Sequence, residues 1–156
     1  MFSFTFWMRM KKPEVENKKF KSFFGKTALI VDDIEINREI VMAILESTQM
    51  QFVCAANGRE AVEIFTSDPG KFDIILMDIN MPEMDGVEAT RRIRDMEVPE
   101  GRSVPIIAIT ANTNPEDVEK YFAAGMADHI GKPVDFDEVL GKISFHLKNA
   151  SSQGKL

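Results

Sequence analysis

The stretch that decides the fold is FDIILMDINMPEMDG, residues 72–86 of the 156-residue chain. Its apolar run, residues 74–77, has no polar alternation, which is typical of a parallel strand covered by helices on both faces. The run ends in Asp78, and turn-forming residues follow it: Asn80, Pro82, Asp85 and Gly86. Because open α/β sheets bind ligands at the carboxyl ends of their strands, this stretch places Asp78 at a binding edge. A lone Asp in this setting more often just begins a turn, so a functional interpretation needs support from other residues.

The rest of the chain repeats the same alternation of buried strand and amphipathic helix. Four further segments have the pattern of short strands: residues 27–31, 51–56, 104–109 and 129–130. Helical spacing of apolar residues predicts five helices: residues 36–48, 61–65, 87–96, 115–125 and 135–147. Residues 99–103 are predicted to form a loop. Strands that alternate with helices across short connections indicate an α/β fold, with a doubly wound five-stranded parallel sheet and five helices.

The length and composition indicate one domain with two tails. Single domains commonly have roughly 100–200 residues, and no apolar run approaches the roughly 20 residues that span a bilayer. We expect a basic, linker-like or disordered leader over residues 1–25, a globular domain over residues 26–148 and a polar tail over residues 149–156. The sequence therefore predicts no transmembrane segment.

The charge is unevenly distributed along the chain. The net charge is −6, but residues 1–26 contain seven Lys or Arg and two Glu, so they carry +5 and the remainder carries −11. An acidic body argues against nucleic-acid binding by this domain, because phosphate contacts need a basic face. The single cysteine, Cys54, lies in an apolar stretch and most simply fills a core position, which fits a reducing, cytoplasmic compartment.

Chemically distinctive residues follow four of the predicted strands: Asp32, Asp33, Asp78, Thr110 and Lys132. In a parallel sheet these strand ends share one edge. Crowded carboxylates would repel one another by roughly 4 kcal/mol per pair at 4 Å and an effective dielectric constant near 20. A bound hard divalent cation would offset this repulsion. Mg²⁺ suits oxygen ligands and phosphate. Taken singly, these residues are a solvated acidic pair, a strand-end threonine and an exposed turn lysine, and only their joint placement favours a site.

Four motifs carry a resemblance to a known family. They are LIVDD at residues 29–33, LMDINMPEMDG at 76–86, IIAITAN at 106–112 and GKP at 131–133. Together they resemble the response-regulator receiver domain of two-component signalling, over about residues 26–148. The segments IEINREI and ITANTNPEDVEKYFAAGMADHIGKP are most similar to receiver domains of hybrid sensor histidine kinases. The resemblance implies a flavodoxin-like receiver fold and a phosphorelay function.

The resemblance also implies a role for each residue at the edge. Asp78 would accept a phosphoryl group from a phosphohistidine of a partner protein and form an acyl phosphate. Asp33, Asp78 and the backbone carbonyl of Asn80 would bind Mg²⁺, and Asp32 would help mainly through ordered water. The implied partners are a histidine kinase, a histidine phosphotransfer protein, or both.

The same resemblance assigns the remaining site residues. Lys132 would bind a phosphoryl oxygen, and Thr110 would swing its hydroxyl toward the phosphate. His129 occupies the place where many receivers carry a switching Tyr or Phe, so a linked aromatic switch is in doubt and His129 is interpreted as a partly exposed strand residue. Asn112 is expected near the site, where it would tune hydrolysis with Asn80.

Two other features are given ordinary interpretations. His146 lies near the predicted end of the last helix, where histidines commonly interact with the helix dipole. Three arginines of the third helix are interpreted as a solvated face: Arg91, Arg92 and Arg94.

Two alternative functions remain open from the sequence. The first is a metal-dependent phosphohydrolase with an aspartyl nucleophile, of the haloacid dehalogenase type. Such enzymes use an Asp-x-Asp motif, whereas Asp78-Ile79-Asn80 ends in an amide. The second is an interaction domain that never takes phosphate. We expect a non-enzymatic signalling module, either a stand-alone receiver or a piece of a hybrid kinase.

Overall fold

The computed structural model describes the backbone of residues 22–154 and the side chains of residues 22–150. Most of the predicted leader therefore lies outside the described residues. The sheet contains five strands: β1 (Thr27–Val31), β2 (Gln51–Ala55), β3 (Ile74–Asp78), β4 (Ile106–Thr110) and β5 (Asp128–Gly131). All neighbouring pairs are parallel and the strand order is β2-β1-β3-β4-β5. The predicted parallel sheet is confirmed.

The register brings the predicted strand ends to one edge. Val31 pairs with Met77, so Asp32 and Asp78 each lie one residue beyond that pair. Asp78 pairs with Ile109, directly before Thr110, and Thr110 pairs with Gly131, directly before Lys132. Short apolar strands with acidic, hydroxyl or basic residues at their ends therefore build a polar edge on a buried sheet.

Six α-helices cover the sheet within residues 22–154, one more than the five predicted. They are α1 (Glu35–Glu46), α2 (Gly58–Ser67), α3 (Gly86–Arg94), α4 (Pro99–Ser103), α5 (Pro115–Ala124) and α6 (Phe136–Gly154), and a 3-10 turn spans Pro69–Lys71. The extra helix is α4, which replaces the predicted loop over residues 99–103. Proline at its first position suits a helix start, and Glu100 and Arg102 tolerate helical geometry. One helical turn therefore forms although the sequence has no apolar periodicity there that would predict it.

Two apolar layers form the core, one on each face of the sheet. Leu29, Ile75 and Met77 pack on one face with the helices α2, α3 and α5. Ile30, Leu76 and Ile107 pack on the other face with α1 and α6. The second layer also contains Phe23, which is 6% exposed, so tight packing begins inside the segment predicted as leader.

Polar side chains start three of the helices directly after strands or turns. Asn57, Asp85 and Asn114 each accept a hydrogen bond from a backbone N–H in the first turn of α2, α3 and α5, respectively. These residues satisfy N–H groups that have no partner within the helix. Asp85, a turn residue named in the sequence analysis, therefore also fixes where α3 begins.

The interpretation of the α3 arginines as a solvated face is wrong for one of them. Arg91 and Arg92 are exposed, but Arg94 is only partly exposed. Its guanidinium donates to the carbonyl of Gly125, at 2.7 and 2.9 Å, and to the carbonyl of Gly101, at 3.0 Å. Arg94 therefore links α3 to the end of α5 and to α4.

The last helix is longer than predicted. Helix α6 continues to Gly154, whereas the periodicity ended it at residue 147 because no apolar residue of the stripe follows Leu147. His146 is consequently an interior residue of α6, not a helix-end residue. Over residues 22–154, no helix combines the length and the apolar character that crossing a membrane requires.

Candidate functional site

Three carboxylates converge at the carboxyl edge of the sheet. Asp32 and Asp33 follow β1, Asp78 ends β3, and one oxygen from each lies within 4.8 Å of the others. Asp32 and Asp78 are buried, at 5% and 2% exposure, while Asp33 is exposed. The site therefore has two buried carboxylates and one that faces solvent.

Lys132 completes the cluster from β5. Its Nζ is 2.9 Å from Asp78 Oδ1 and 3.4 Å from Asp32 Oδ2. The Lys132 backbone N–H also donates to the carbonyl of Thr110 at 2.8 Å, and the Lys132–Pro133 peptide bond is cis. The predicted convergence of these strand ends therefore includes ion pairs of Lys132 with Asp78 and Asp32.

Burial and charge shift the acidity of this pair. Burial raises the pKa of Asp78 to about 6, the hydrogen bond from Lys132 opposes that rise, and the charges of Asp32 and Asp33 reinforce it. Burial alone would lower the pKa of Lys132, but the hydrogen bonds and charges of Asp78 and Asp32 outweigh it, so that pKa is raised. At neutral pH the carboxylate is mainly ionised and the ammonium is charged.

Backbone contacts keep the acidic residues in place. The Asp32 carboxylate accepts a hydrogen bond from the N–H of Ile34 at 2.9 Å, and the Asp32 carbonyl accepts one from Arg38 at 2.7 Å. Arg38 belongs to α1, so this helix is tied to the acidic pair. The structure thereby positions Asp32 without using the lone pairs that face Lys132.

A glycine allows α3 to start against the end of β3. The Gly86 N–H donates to the carbonyl of Ile79 at 2.9 Å. A Cβ atom added to Gly86 would lie 2.2 Å from the carbonyl oxygen of Asp78, so no other residue fits without movement of the backbone. Asn80, the proposed carbonyl ligand, lies in the intervening loop, where its side chain is exposed.

Thr110 lies at the end of β4, and its hydroxyl contacts a side chain of the helix α5. Thr110 is fully buried, and its Oγ1 is 3.0 Å from the Tyr121 hydroxyl of α5. Sequence patterning did not single out Tyr121, since a buried aromatic residue on a helix looks like ordinary core. Tyr121 is the only tyrosine in the sequence, and this was the one feature that could have drawn attention to it.

The two histidines have contacts that sequence patterning did not predict. His129 is partly exposed, as expected, and its ring meets that of Phe122 edge to face at a centroid distance of 6.4 Å. His146 Nε2 is 2.9 Å from Asp128 Oδ2, so the helix-dipole interpretation is corrected to a side-chain contact between α6 and β5. Cys54 is half-buried and its thiol lies 3.4 Å from the Met42 sulfur.

The donor set fits a hard divalent cation. Three carboxylates within 4.8 Å supply the oxygen ligands that Mg²⁺ and similar ions prefer, and the exposed Asp33 keeps that side of the cluster open to solvent. The arrangement can neutralise anionic oxygen atoms with Lys132 and a cation while Asp78 presents a carboxylate. Such a site is equipped for phosphoryl chemistry.

A family model describes most of the chain. The model of the response regulator receiver domain matches residues 28–144. The two-component system protein A of Emericella nidulans is 44% identical over 116 residues, which are 74% of this chain and 16% of that protein. The two-component response regulator 24 of Arabidopsis thaliana is 34% identical over 125 residues, which are 78% of this chain and 86% of that protein.

Solved structures agree with these relatives. A receiver domain of a sensor histidine kinase from Pseudomonas aeruginosa, with magnesium coordinated in its active-site cleft, has a TM-score of 0.71 and 36% identity. The match covers 80% of this chain and 98% of that domain. The chemotaxis protein CheY4 of Vibrio cholerae has a TM-score of 0.70 and 29% identity, with 76% and 96% covered. Several relatives are much longer than this chain, which spans 6–16% of their length.

Proposed function

Because this chain belongs to the response regulator receiver domain family, we propose that Asp78 is its phosphoacceptor. The observation that carries the proposal is the buried Asp78 carboxylate in contact with Lys132 and clustered with Asp32 and Asp33. The family function is reception of a phosphoryl group in two-component signalling. The assignment of each site residue is our inference from the geometry.

The proposed reaction is an in-line displacement at phosphorus. An Asp78 carboxylate oxygen forms the new O–P bond while the P–N bond of a partner's phosphohistidine breaks and its electron pair stays on the imidazole nitrogen. Lys132, already 2.9 Å from Asp78, would neutralise a phosphoryl oxygen. Thr110 would donate its hydroxyl to another oxygen after it rotates. Phosphoryl transfer needs mainly such positioning and charge neutralisation.

Mg²⁺ is the proposed cofactor. Asp33, Asp78 and the Asn80 carbonyl would ligate it, and Asp32 would contribute mainly through water. The ion would supply positive charge to the phosphoryl oxygens. The convergence of three carboxylates supports this assignment, because their mutual repulsion falls when a divalent cation binds.

The proposed partner is a histidine kinase or a histidine phosphotransfer protein. Three large apolar side chains beside the acidic pair support a docking face there: Ile34 is 49% exposed, Ile36 is 55% exposed and Ile40 is 45% exposed. They lie on α1 or directly before it, next to Asp33. A partner that covers them would bring its phosphohistidine to the open side of the site.

A phosphohydrolase is not supported as an alternative. The Asn80 amide occupies the place of the second carboxylate that haloacid dehalogenase-type enzymes use as an acid and base, and the relatives are signalling proteins. We infer a signalling phosphoacceptor with no turnover of small phosphate esters. The kinase relatives and the single free cysteine favour a cytoplasmic location.

Intact-protein mass after incubation with Mg²⁺ and acetyl phosphate tests the proposal. The wild type should gain one phosphoryl group, and Asp78→Asn should gain none because the amide is not a nucleophile. Asp33→Asn should label more slowly, because the metal site is weakened. Asp95→Asn, at an exposed position, is the matched control and should label like the wild type. Equal labelling of Asp78→Asn and wild type would assign the acceptor to another residue.

A further inference from the structure

A closed set of hydrogen bonds surrounds the Thr110 hydroxyl. Thr110 Oγ1 accepts from the backbone N–H of Asn112 at 2.9 Å and lies 3.0 Å from the Tyr121 hydroxyl oxygen. The Tyr121 hydroxyl is also 2.9 Å from the backbone carbonyl of Asn112. Both side chains are buried, at 0% and 3% exposure, so water does not compete for these groups.

The distances assign a direction to each bond. A hydroxyl has one proton. The shorter contact with the Asn112 carbonyl, at 2.9 Å, takes the Tyr121 proton, which leaves Thr110 as the donor to Tyr121. The Thr110 hydroxyl lies 3.5 Å from the same carbonyl, too far for a good hydrogen bond. The single proton of Thr110 is therefore directed at Tyr121.

This direction conflicts with the role proposed for Thr110 in the phosphorylated state. A threonine that donates to a phosphoryl oxygen on Asp78 must take its proton away from Tyr121. Tyr121 would keep its bond to Asn112, but it would lose the threonine as a donor. The two contacts of Thr110 are mutually exclusive.

Resting on the proposed function, we propose that Tyr121 is a positioning residue that holds Thr110 away from the acceptor until phosphate arrives. Tyr121 lies on α5 (Pro115–Ala124), so release of Thr110 changes a contact of that helix. The strand residue His129 makes no such contact among the described residues, and its buried Nδ1 has no hydrogen-bond partner there. In this chain the aromatic partner of the threonine comes from a helix.

The test measures the affinity for beryllofluoride in the presence of Mg²⁺, by calorimetry on the full chain. Beryllofluoride is a non-covalent mimic of an aspartyl phosphate. Tyr121→Phe removes only the competing oxygen, so it should bind the mimic about three- to tenfold more tightly, as expected for loss of one hydrogen bond between neutral groups. Initial labelling by acetyl phosphate should rise by a similar factor.

A double-mutant cycle separates this role from general loosening of α5. Thr110→Val keeps the shape of the side chain and removes its proton, so it should weaken binding. In that background Tyr121→Phe should produce no further change. Phe122→Leu, the neighbouring aromatic on the same helix and 48% exposed, is the matched control and should bind like the wild type.

The outcomes distinguish this proposal from the proposed function. Unchanged or weaker binding by Tyr121→Phe, or an equal gain in the Thr110→Val background, would overturn the role of Tyr121 while leaving Asp78 as acceptor. Failure of the wild type to bind beryllofluoride and to be labelled would overturn both. Melting temperatures of all variants, measured without the mimic, show that each one is folded.

Discussion

Asp78 is buried, yet the phosphoacceptor role proposed for it requires a charged carboxylate. The residue is 2% exposed and borders two further acidic residues, and among residues 22–150 only Lys132 forms an ion pair with it, at 2.9 Å. Burial, followed by the charges of its neighbours, raises its pKa to about 6. The ionised form is therefore a source of instability in the metal-free protein, and the strain is released when the group is protonated or neutralised.

We predict that Asp78→Asn stabilises the metal-free protein at neutral pH. The folded-state pKa of about 6 exceeds the ordinary value of 3.8, so ionisation disfavours the folded state above pH 6 and has no effect below pH 3.8. The free energy of unfolding of the variant should exceed that of the wild type by about 1–3 kcal/mol at pH 7.5, measured by urea unfolding in the presence of EDTA. That difference should shrink as the pH falls from 6 toward 4.

The exposed carboxylate Asp137 provides the control for this pH dependence. Asp137→Asn should leave the free energy of unfolding within about 0.5 kcal/mol of the wild type across the same range. A stability difference between Asp78→Asn and wild type that does not vary with pH would mean that the carboxylate is not strained by burial and its neighbours.

At the residue scale, the sequence predicted those contacts between site residues that depend on where the strands end. Asp32, Asp78 and Lys132 come together because each lies at or directly after the end of a strand and parallel strands end at one edge. The contacts of Tyr121 and Arg94 were not predictable. The first depends on how α5 packs against the end of β4, and the second depends on how α3 packs against α4 and the end of α5. A buried tyrosine resembles core and a helical arginine resembles surface until the neighbouring carbonyl or hydroxyl is known.

The contact between β5 and α6 depends on a carboxylate with several donors. Asp128 Oδ2 is 2.9 Å from His146 Nε2, and Asp128 Oδ1 is 3.2 Å from Lys142 Nζ. Lys142 also donates to the carbonyl of His129. Burial alone would raise the pKa of Asp128, but hydrogen bonds from His146, the His129 N–H and Lys142 outweigh it and lower that pKa.

We predict that Asp128→Asn destabilises the protein by about 1–2 kcal/mol at pH 7, because charge-assisted hydrogen bonds between strand and helix are lost. A lowered folded-state pKa contributes stability above the unfolded pKa of 3.8 and loses it as the pH falls through the folded value. The difference from wild type, measured by urea unfolding, should therefore persist from pH 7 to 5 and decline below about pH 4. A loss that is constant down to pH 3 would count against the ionic contact.

At the element scale, segments with strong apolar periodicity were predicted correctly as strands or helices, and segments with weak apolar periodicity were not. In the part of the chain that the structure describes, all five strands and five of the six helices follow from apolar patterns bounded by turn residues. Helix α4 is a single turn without an apolar face, and the last turns of α6 are polar, so neither leaves a periodic signal. Their helical form depends on proline at the start of α4 and on continuation of an established helix in α6.

For the whole molecule, we predict that Mg²⁺ raises the melting temperature, because the acidic cluster exists only in the folded chain. At a concentration one hundred times the dissociation constant, the gain is about 2.7 kcal/mol, which corresponds to roughly 5–10 °C for a chain of this size. Asp33→Asn should lose most of this shift, measured by scanning calorimetry. Asp95→Asn should retain it, and an equal shift in all three proteins would indicate unspecific binding.

The pairing of Lys132 with a cluster of three acids has an electrostatic consequence. Three carboxylates and one ammonium give this edge a formal charge of −2. Under the proposed function, one divalent cation would bring the edge to neutrality, and conversion of Asp78 to an aspartyl phosphate dianion would then take it to −1. The cation would therefore change the local charge by two, and the phosphoryl group would change it by one. A partner that senses this surface through its field alone would respond more strongly to the metal than to the signal, so discrimination of the phosphorylated form would have to come from shape.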